Sequence, residues 1–168
     1  MTDVLEGLEI APAKPEDVGL VLTMIRELAQ FERLLDQVVA TEAGLREALF
    51  SERPQAEVLI ARAAAAPVGF ALYFHTFSTF LGQPGLYLED LYVRPDFRGQ
   101  GVGAALLQHL ARVAVTRHCG RFEWAVLDWN QRAIDFYTHL GAQPLADWTT
   151  FRLTGDALLR LADATVQP

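Results

Sequence analysis

The residues most able to do chemistry lie in a glycine-rich stretch, Arg94–Gly103, with the sequence RPDFRGQGVG, which runs directly into AALLQHLARVAV. Gly99, Gly101 and Gly103 alternate with single residues, and Arg98 precedes them. If this stretch joins a strand to a helix, its unpaired amide N–H groups and the helix dipole attract an anion. Glycines allow the backbone to approach a ligand, and Arg98 adds a charge that pairs with phosphate. The pattern therefore predicts a site for a phosphate-bearing cofactor.

Two other phosphate-binding loops are alternatives to this interpretation. A P-loop ends in Gly-Lys-Ser/Thr, whereas this chain has Gly103-Ala104-Ala105, so the P-loop is rejected. Gly99, Gly101 and Ala104 do match the dinucleotide pattern G-x-G-x-x-A, and Glu123 follows about 20 residues later. However, Glu123 falls inside a predicted strand and only one parallel crossover is expected. A helix start that uses its glycines only for packing also remains possible.

Carboxylates provide a second chemical group. Glu89 and Asp90 lie on the strand before the glycine loop, where neighbours point to opposite faces unless a bulge intervenes. Further acids are Glu27, Glu32 and Asp36, which lie on or just after the first long helix, and Asp128 in the last third of the chain. Together they would suit a cationic amine, while the alternatives are a solvated strand end and a polar helix face.

A later helix carries a candidate general acid. Asn130 and Tyr137 are seven residues apart, so about 700° of rotation brings them to nearly the same helix face. The small Ala133 lies between them, which leaves room for a narrow ligand along that face. Tyr137 could donate a proton there, or it could be an ordinary half-buried core tyrosine.

The spacing of apolar residues and breakers predicts the elements that position these groups. Helices are expected from Pro15 to about Ala29, from the Thr41 cap to Phe50, over Gly101–His118, over Asn130–Leu140 with Asn130 as its cap, and over Gly155–Leu161. Strands are expected at Leu8–Pro12, Glu57–Arg62, Val68–Phe74, Leu86–Val93, Arg121–Leu127 and Asp147–Leu153. A turn is expected around Ala66-Pro67, and a loop over Thr76–Gly85 with Gly82, Pro84 and Gly85 as breakers. This order predicts an α/β (α+β) domain with a mixed, largely antiparallel central sheet flanked by helices.

Composition excludes several classes of protein. The 168 residues carry a net charge of −7 with a single lysine, which argues against a nucleic-acid footprint. No apolar run approaches the roughly 20 residues that span a bilayer, so no membrane association is expected. The single cysteine, Cys119, excludes an intramolecular disulfide and favours the cytoplasm. The four histidines show no metal-ligand spacing, so no metal is expected.

Three segments together resemble the GNAT superfamily of N-acetyltransferases. RGQGVG has the R-x-x-G-x-G pattern of the acetyl-CoA loop, LYLEDLYVRPDFRGQGVG matches the strand before that loop, and LDWNQRAIDFYTHLGA matches a later Asn…Phe-Tyr…Gly segment. MIRELAQFERLLDQV and GFALYFHTFSTFLGQPGLYLEDLYV are similar to the spermidine/spermine N-acetyltransferase branch, which includes thialysine acetyltransferases. The resemblance covers roughly residues 8–162 and implies one GNAT-like domain over residues 1–168.

The resemblance implies a cofactor, a substrate class and roles for the site residues. It implies acetyl-CoA as donor, a small-molecule primary amine (polyamine, diamine or thialysine-like amino acid) as acceptor, and a homodimer. Direct attack by the amine is expected, because no Ser, Cys or His is arranged with a partner that suggests an acyl-enzyme. Tyr137 would protonate the leaving sulfur, and Glu89 would take the amine's proton through water. Asp90 would hold substrate or structure. The four other acids named above are the further candidates for binding the amine. Acetyl-CoA would contact Leu91, Tyr92, Val93, Arg98, Gly99, Gln100, Gly101, Val102, Gly103, Asn130 and Phe136. A protein or antibiotic amine, and a non-catalytic acetyl-CoA sensor, are the alternatives.

Overall fold

The computed structural model describes residues 4–164 and contains a five-stranded sheet of order β1-β2-β3-β4-β5. The strands are β1 (Leu8–Pro12), β2 (Glu57–Ala63), β3 (Ala66–Ser78), β4 (Gln83–Val93) and β5 (Arg121–Trp124). Each of the first four strands runs antiparallel to its neighbours among them, and β5 runs parallel to β4. The predicted mixed, largely antiparallel sheet with one parallel crossover is confirmed.

The described residues contain five α-helices. They are α1 (Val18–Phe31), α2 (Glu42–Phe50), α3 (Val102–Thr116), α4 (Gln131–His139) and α5 (Gly155–Asp163). The predicted caps are confirmed: Thr41 Oγ1 accepts from the Gly44 N–H at 3.1 Å, and Asn130 Oδ1 accepts from the Ala133 N–H at 3.3 Å. A 3₁₀ turn at Pro15–Asp17 precedes α1, so the first α-helix begins three residues later than predicted.

The first three helices bury their apolar faces on opposite sides of the sheet. One core cluster packs α1 and α2 on the face that carries Phe70 and Tyr92, here called the α1 face; its other buried members are Val21, Met24, Leu28, Leu49, Val58 and Ile60. The buried face of α3 consists of Val102, Leu106, Leu107, Leu110 and Ala114. Gly69 allows β3 and β4 to lie close together at this point, because a Cβ there would lie 2.7 Å from the Tyr92 carbonyl oxygen.

The predicted loop over Thr76–Gly85 is wrong, because β3 and β4 form a long hairpin that leaves only residues 79–82 as a turn. Gly82 has a φ of +64° and serves the turn. Gly85, by contrast, lies inside β4, where a Cβ would meet Thr76 Oγ1 at 2.5 Å. This glycine permits close strand packing and is not a breaker. The shorter β2–β3 turn also differs from prediction, since it lies at residues 64–65.

The predicted strand Asp147–Leu153 is wrong as well, and β5 ends at Trp124 instead of Leu127. Within residues 4–164 the sheet has five strands, and residues 147–153 pair with none of them. Trp148 and Phe151 are 78% and 91% exposed. Alternating apolar residues form a strand only when a neighbouring strand satisfies their backbone groups, and these residues lack that neighbour within the described chain.

The chain divides after Ala125 into two compact units. The first contains the sheet, α1 to α3 and the glycine loop, and the second contains α4 and α5. The expectation of one domain over residues 1–168 stays a prediction. Across residues 4–164, every helix is too short or too polar to cross a bilayer.

Candidate active site

Strand β4 is irregular at Glu89. Leu88 pairs with Tyr73 and Asp90 pairs with the neighbouring Leu72, so Glu89 is an extra residue on β4, a β-bulge. Glu89 is exposed to solvent, whereas Asp90 is partly buried. A bulge that relaxes the strict alternation of Glu89 and Asp90 is therefore present.

The second half of β4 leaves one edge unpaired within residues 4–164, because β5 pairs with β4 over Gly85–Leu88. The Arg94 N–H donates to the Val68 carbonyl on β3 at 2.9 Å. Since the N–H and C=O of a trans peptide point in opposite directions, the Val93 carbonyl points away from β3. Strand alternation then directs the N–H groups of Leu91 and Val93 to this same side, here called the open edge. These are the backbone groups predicted to contact acetyl-CoA, and that contact stays a prediction.

Three carboxylates lie together beside the open edge. Burial, together with the negative charges of Glu89 and Glu32, raises the pKa of Asp90 to about 6. Burial also raises the pKa of Glu32, which follows directly after α1. The structure thus brings together three of the predicted acids from two distant segments, here called the acidic cluster. Within residues 4–164, no group of His, Cys, Asp or Glu side chains is arranged to hold a metal ion.

Arg98 is held in place from several sides. Its Nε donates to the Val93 carbonyl at 2.8 Å, and its guanidinium lies 4.4 Å from the centre of the Phe31 ring and 5.5 Å from that of Tyr92. Such packing fixes the direction of the charge beside the open edge. Gln100, in turn, donates through Nε2 to the Asp96 carbonyl at 2.7 Å, which tightens the turn before α3.

The glycines of the loop meet different requirements. Gly99 and Gly101 have φ values of +76° and +86°, and Gly101 is the N-cap of α3, so both need glycine for their backbone. Gly103 is inside α3, and the nearest atom to a Cβ there, among those compared in residues 4–164, is Val93 Cγ2 at an ordinary 3.8 Å. Neither its backbone nor its packing requires glycine. Its missing side chain leaves space beside Val93, which a ligand could use.

Glu27 has a partner within the protein. Its two carboxylate oxygens accept from Arg94 Nη2 at 2.9 Å and Nε at 3.1 Å, while Arg94 Nη1 donates to the Pro67 carbonyl at 2.9 Å. This bidentate pair ties α1 to the end of β4. It favours a positioning role for Glu27 over the predicted contact with substrate, which stays untested. The role of Arg94 was missed, since no sequence pattern marks its partner 67 residues away.

The remaining predicted residues lie in other segments. Asp36 is exposed in a 3₁₀ turn after α1, and Asp128 is exposed ahead of α4. Phe136 and Tyr137 are half-buried on α4 with ring centres 5.5 Å apart, and Asn130 caps the same helix. The functional roles assigned to these residues stay predictions.

Comparison with known proteins is consistent along nearly the whole chain. The model of the Acetyltransferase (GNAT) family matches residues 23–142. A thialysine N-epsilon-acetyltransferase of Sus scrofa is 43% identical over 164 residues, which cover 91% of this chain and 96% of the relative. An L-ornithine N5-acetyltransferase of Arabidopsis thaliana is 34% identical, with 87% and 84% covered. An integron cassette protein from the mobile metagenome of V. cholerae has a similar structure, with a TM-score of 0.79, 28% identity, and 94% and 99% covered.

Proposed function

This chain belongs to the GNAT acetyltransferase family and takes its acetyl group from acetyl-CoA, and we propose that it transfers this group to the side-chain amine of a lysine-like amino acid such as thialysine. The predicted family, fold class, acetyl donor and enzyme class are confirmed by the match. So is acetyl transfer to an amine of a small cationic substrate. The choice of amine is the step that we add.

The observation that carries this choice is the acidic cluster of Glu32, Glu89 and Asp90 beside the open edge of β4. A cationic amine approaching that edge meets negative charge in a partly buried place, where its attraction is stronger than in bulk water. Relatives named for thialysine and ornithine support a side-chain amine of an amino acid.

The proposed mechanism has two proton transfers, one from the attacking amine and one to the departing thiolate. The amine must lose a proton in order to attack the thioester carbonyl, and Glu89 takes that proton through a water molecule. The N–H groups of Leu91 and Val93 donate to the thioester oxygen as it gains negative charge. Tyr137 donates a proton to the departing thiolate. Asp90 and Glu32 hold the substrate's positive charge.

We assign the rest of the acetyl-CoA site to the glycine loop and to α4. The loop amides and the Arg98 guanidinium hold the pyrophosphate at the N-terminus of α3. The remaining contacts come from Tyr92, Gln100, Val102, Asn130 and Phe136. Asp36 and Asp128 contribute charge to the approach of the amine. The proposal includes a cytoplasmic homodimer that does not bind nucleic acid or membrane.

A thiol-release assay with a panel of amines tests the proposed function. The panel contains thialysine, lysine, ornithine, spermidine, an aminoglycoside and a lysine-containing peptide. We expect the highest kcat/KM for one of the three free amino acids. If spermidine, the aminoglycoside or the peptide were clearly preferred, the proposed substrate would be wrong. Acetyl-CoA binding without thiol release from any amine would instead identify a sensor.

A further inference from the structure

A row of side chains continues the α1 face of the sheet beyond the acidic cluster. Cross-strand neighbours share a face, and the register pairs Phe74 with Tyr87 and Tyr87 with Glu123. Because alternate residues of a strand also share a face, Phe74 lies on the same face as Leu72, the partner of Asp90. The row therefore begins next to Asp90, a member of the acidic cluster.

Two oppositely charged residues of β5 end this row. Arg121 and Glu123 are two residues apart on one face, and Arg121 Nε lies 2.7 Å from Glu123 Oε2. Their side chains are 41% and 28% exposed, so both reach solvent. Arg121 lies across Gly85, where a Cβ would be 3.2 Å from its Cγ and 3.3 Å from its Nε. Because Gly85 has no side chain, the side chain of Arg121 can lie over the sheet at this position.

Between this pair and the acidic cluster lies an aromatic surface. The rings of Phe74 and Tyr87 are 5.2 Å apart and inclined by 35°. Burial raises the pKa of Tyr87, and the charges of Glu89 and Glu123 raise it further, so Tyr87 lies within reach of both carboxylates. Ring faces next to carboxylates favour an ammonium group and the aliphatic chain attached to it.

We infer that Phe74, Tyr87, Arg121 and Glu123 form a subsite, here called the β5 subsite, for the zwitterionic head of the amino acid. The inference rests on the proposed function. Glu123 accepts from the α-ammonium group and Arg121 donates to the α-carboxylate, since a guanidinium has five donors and one carboxylate oxygen cannot occupy them all. The rings of Phe74 and Tyr87 contact the side chain of the substrate.

The spacing of the two sites fits such a substrate. Phe74, the partner of Tyr87, is two residues from Leu72, the partner of Asp90, which corresponds to about 7 Å along β3. A lysine-like side chain is of similar length, so its terminal amine reaches the acidic cluster when its head is at the β5 subsite. A polyamine lacks a carboxylate for Arg121, and it finds Glu123 already paired. The β5 subsite would therefore favour amino acids over diamines and polyamines.

Arg121→Gln tests this inference with two substrates, lysine and the diamine obtained by removing its carboxyl group. We expect the ratio of kcat/KM for lysine to that for the diamine to fall about tenfold or more, the size of a charge-assisted hydrogen bond. The diamine itself should be used better than by the wild type, because Glu123 is released from its guanidinium. A purely structural loss would lower both values together. The control is Arg62→Gln, which removes a comparable ion pair (Arg62–Asp17, 2.7 Å) elsewhere in the first unit.

Further variants keep the test decisive. Glu123→Gln removes the partner of the α-ammonium and should lower kcat/KM for lysine without improving the diamine. If Arg121→Gln fails to fold by circular dichroism, Arg121→Lys keeps the charge but loses the bidentate fork, and the ratio should still fall. A wild type active on lysine whose ratio is unchanged in the folded variants overturns the β5 subsite alone. A wild type inactive on all lysine-like amino acids overturns the proposed function and the subsite with it.

Discussion

The two halves of β4 differ in how their edges are paired. Residues Gly85–Leu88 lie between β3 and β5, and Leu86 and Leu88 are buried. Residues Asp90–Val93 pair with β3 alone within residues 4–164, and this half, which begins at the bulged Glu89, carries the acidic pair and the contact to Arg98. Unpaired backbone groups cost stability unless water or a ligand satisfies them. The comparison indicates that the first half holds the sheet together while the second half is available for chemistry.

The largest effect is expected from removing the charge at the bulge. Glu89→Gln keeps the shape of the side chain but cannot accept the amine's proton, so kcat should fall about 10²- to 10⁴-fold. The measurement is kcat against pH in the thiol-release assay. Glu9→Gln, at an exposed position on β1, is the control and should keep wild-type activity. Activity close to wild type in Glu89→Gln would remove the chemical distinction between the two halves of β4.

Tyr137→Phe asks whether the second half of β4 performs all of the proton chemistry. A phenol has a pKa of about 10 and a thiol one of about 8.5, so the transfer is uphill by about 2 kcal/mol and must accompany C–S cleavage. The variant keeps the ring but not the proton. We expect kcat to fall at least about tenfold, with little change in acetyl-CoA affinity. Full activity when chemistry limits the rate would leave solvent as the acid.

Gly103→Leu tests whether the space beside Val93 is used by acetyl-CoA. Leucine favours a helix over glycine by up to about 1 kcal/mol, so the melting temperature should not fall. Affinity measured by calorimetry should weaken at least about tenfold, a loss of about 1.4 kcal/mol of binding free energy. Gly7→Leu is the control, since a Cβ there has no described atom within 4 Å.

Unchanged affinity in Gly103→Leu would mean that acetyl-CoA does not use the space beside Val93. The more obvious substitution, Gly101→Val, is a poorer test. A β-branched residue at a φ of +86° strains the loop, and its Cβ would lie 3.0 Å from Leu5 Cδ1. A loss of binding in that variant would reflect the loop itself.

Asp90→Asn should give the smallest change in activity, a rise of about threefold to tenfold in the amine KM with kcat nearly unchanged. It should also stabilise the protein. The pKa of Asp90 is raised to about 6 in the folded state from 3.8, so folding favours its protonated form. The resulting stabilisation is full below pH 4 and is lost as the pH rises through 6.

Asparagine does not have that pH dependence. Above pH 6, the free energy of unfolding of the variant should therefore exceed that of the wild type by about 1–2 kcal/mol. Near pH 4 the two free energies should be equal. Urea denaturation at pH 4, 6 and 8 measures the difference. An equal difference in the free energy of unfolding at all three pH values would show that the buried charge of Asp90 is not the cause of the difference.

The sequence predicted local features well and pairing over long distances poorly. Thr41 and Asn130 were identified as caps because a cap depends on neighbours three residues away. Gly85 was mistaken for a breaker because its function depends on Thr76 across the hairpin. The Glu27–Arg94 pair and the approach of Glu32 to Asp90 depend on where α1 packs, which no short pattern encodes. The residues 147–153 show the reverse error, since a strand-like pattern cannot supply its own partner strand.

The bulge makes Glu89 separable from the sheet. The pairs on either side, Tyr73 with Leu88 and Leu72 with Asp90, are consecutive on β3, so deleting Glu89 would leave a regular strand with every cross-strand pair retained. The residue that we assign as the base is thus an extra residue in a strand that does not need it for pairing. A lineage could gain or lose this carboxylate in a single event while keeping the scaffold, and active enzymes and inactive acetyl-CoA-binding proteins could then lie one codon apart.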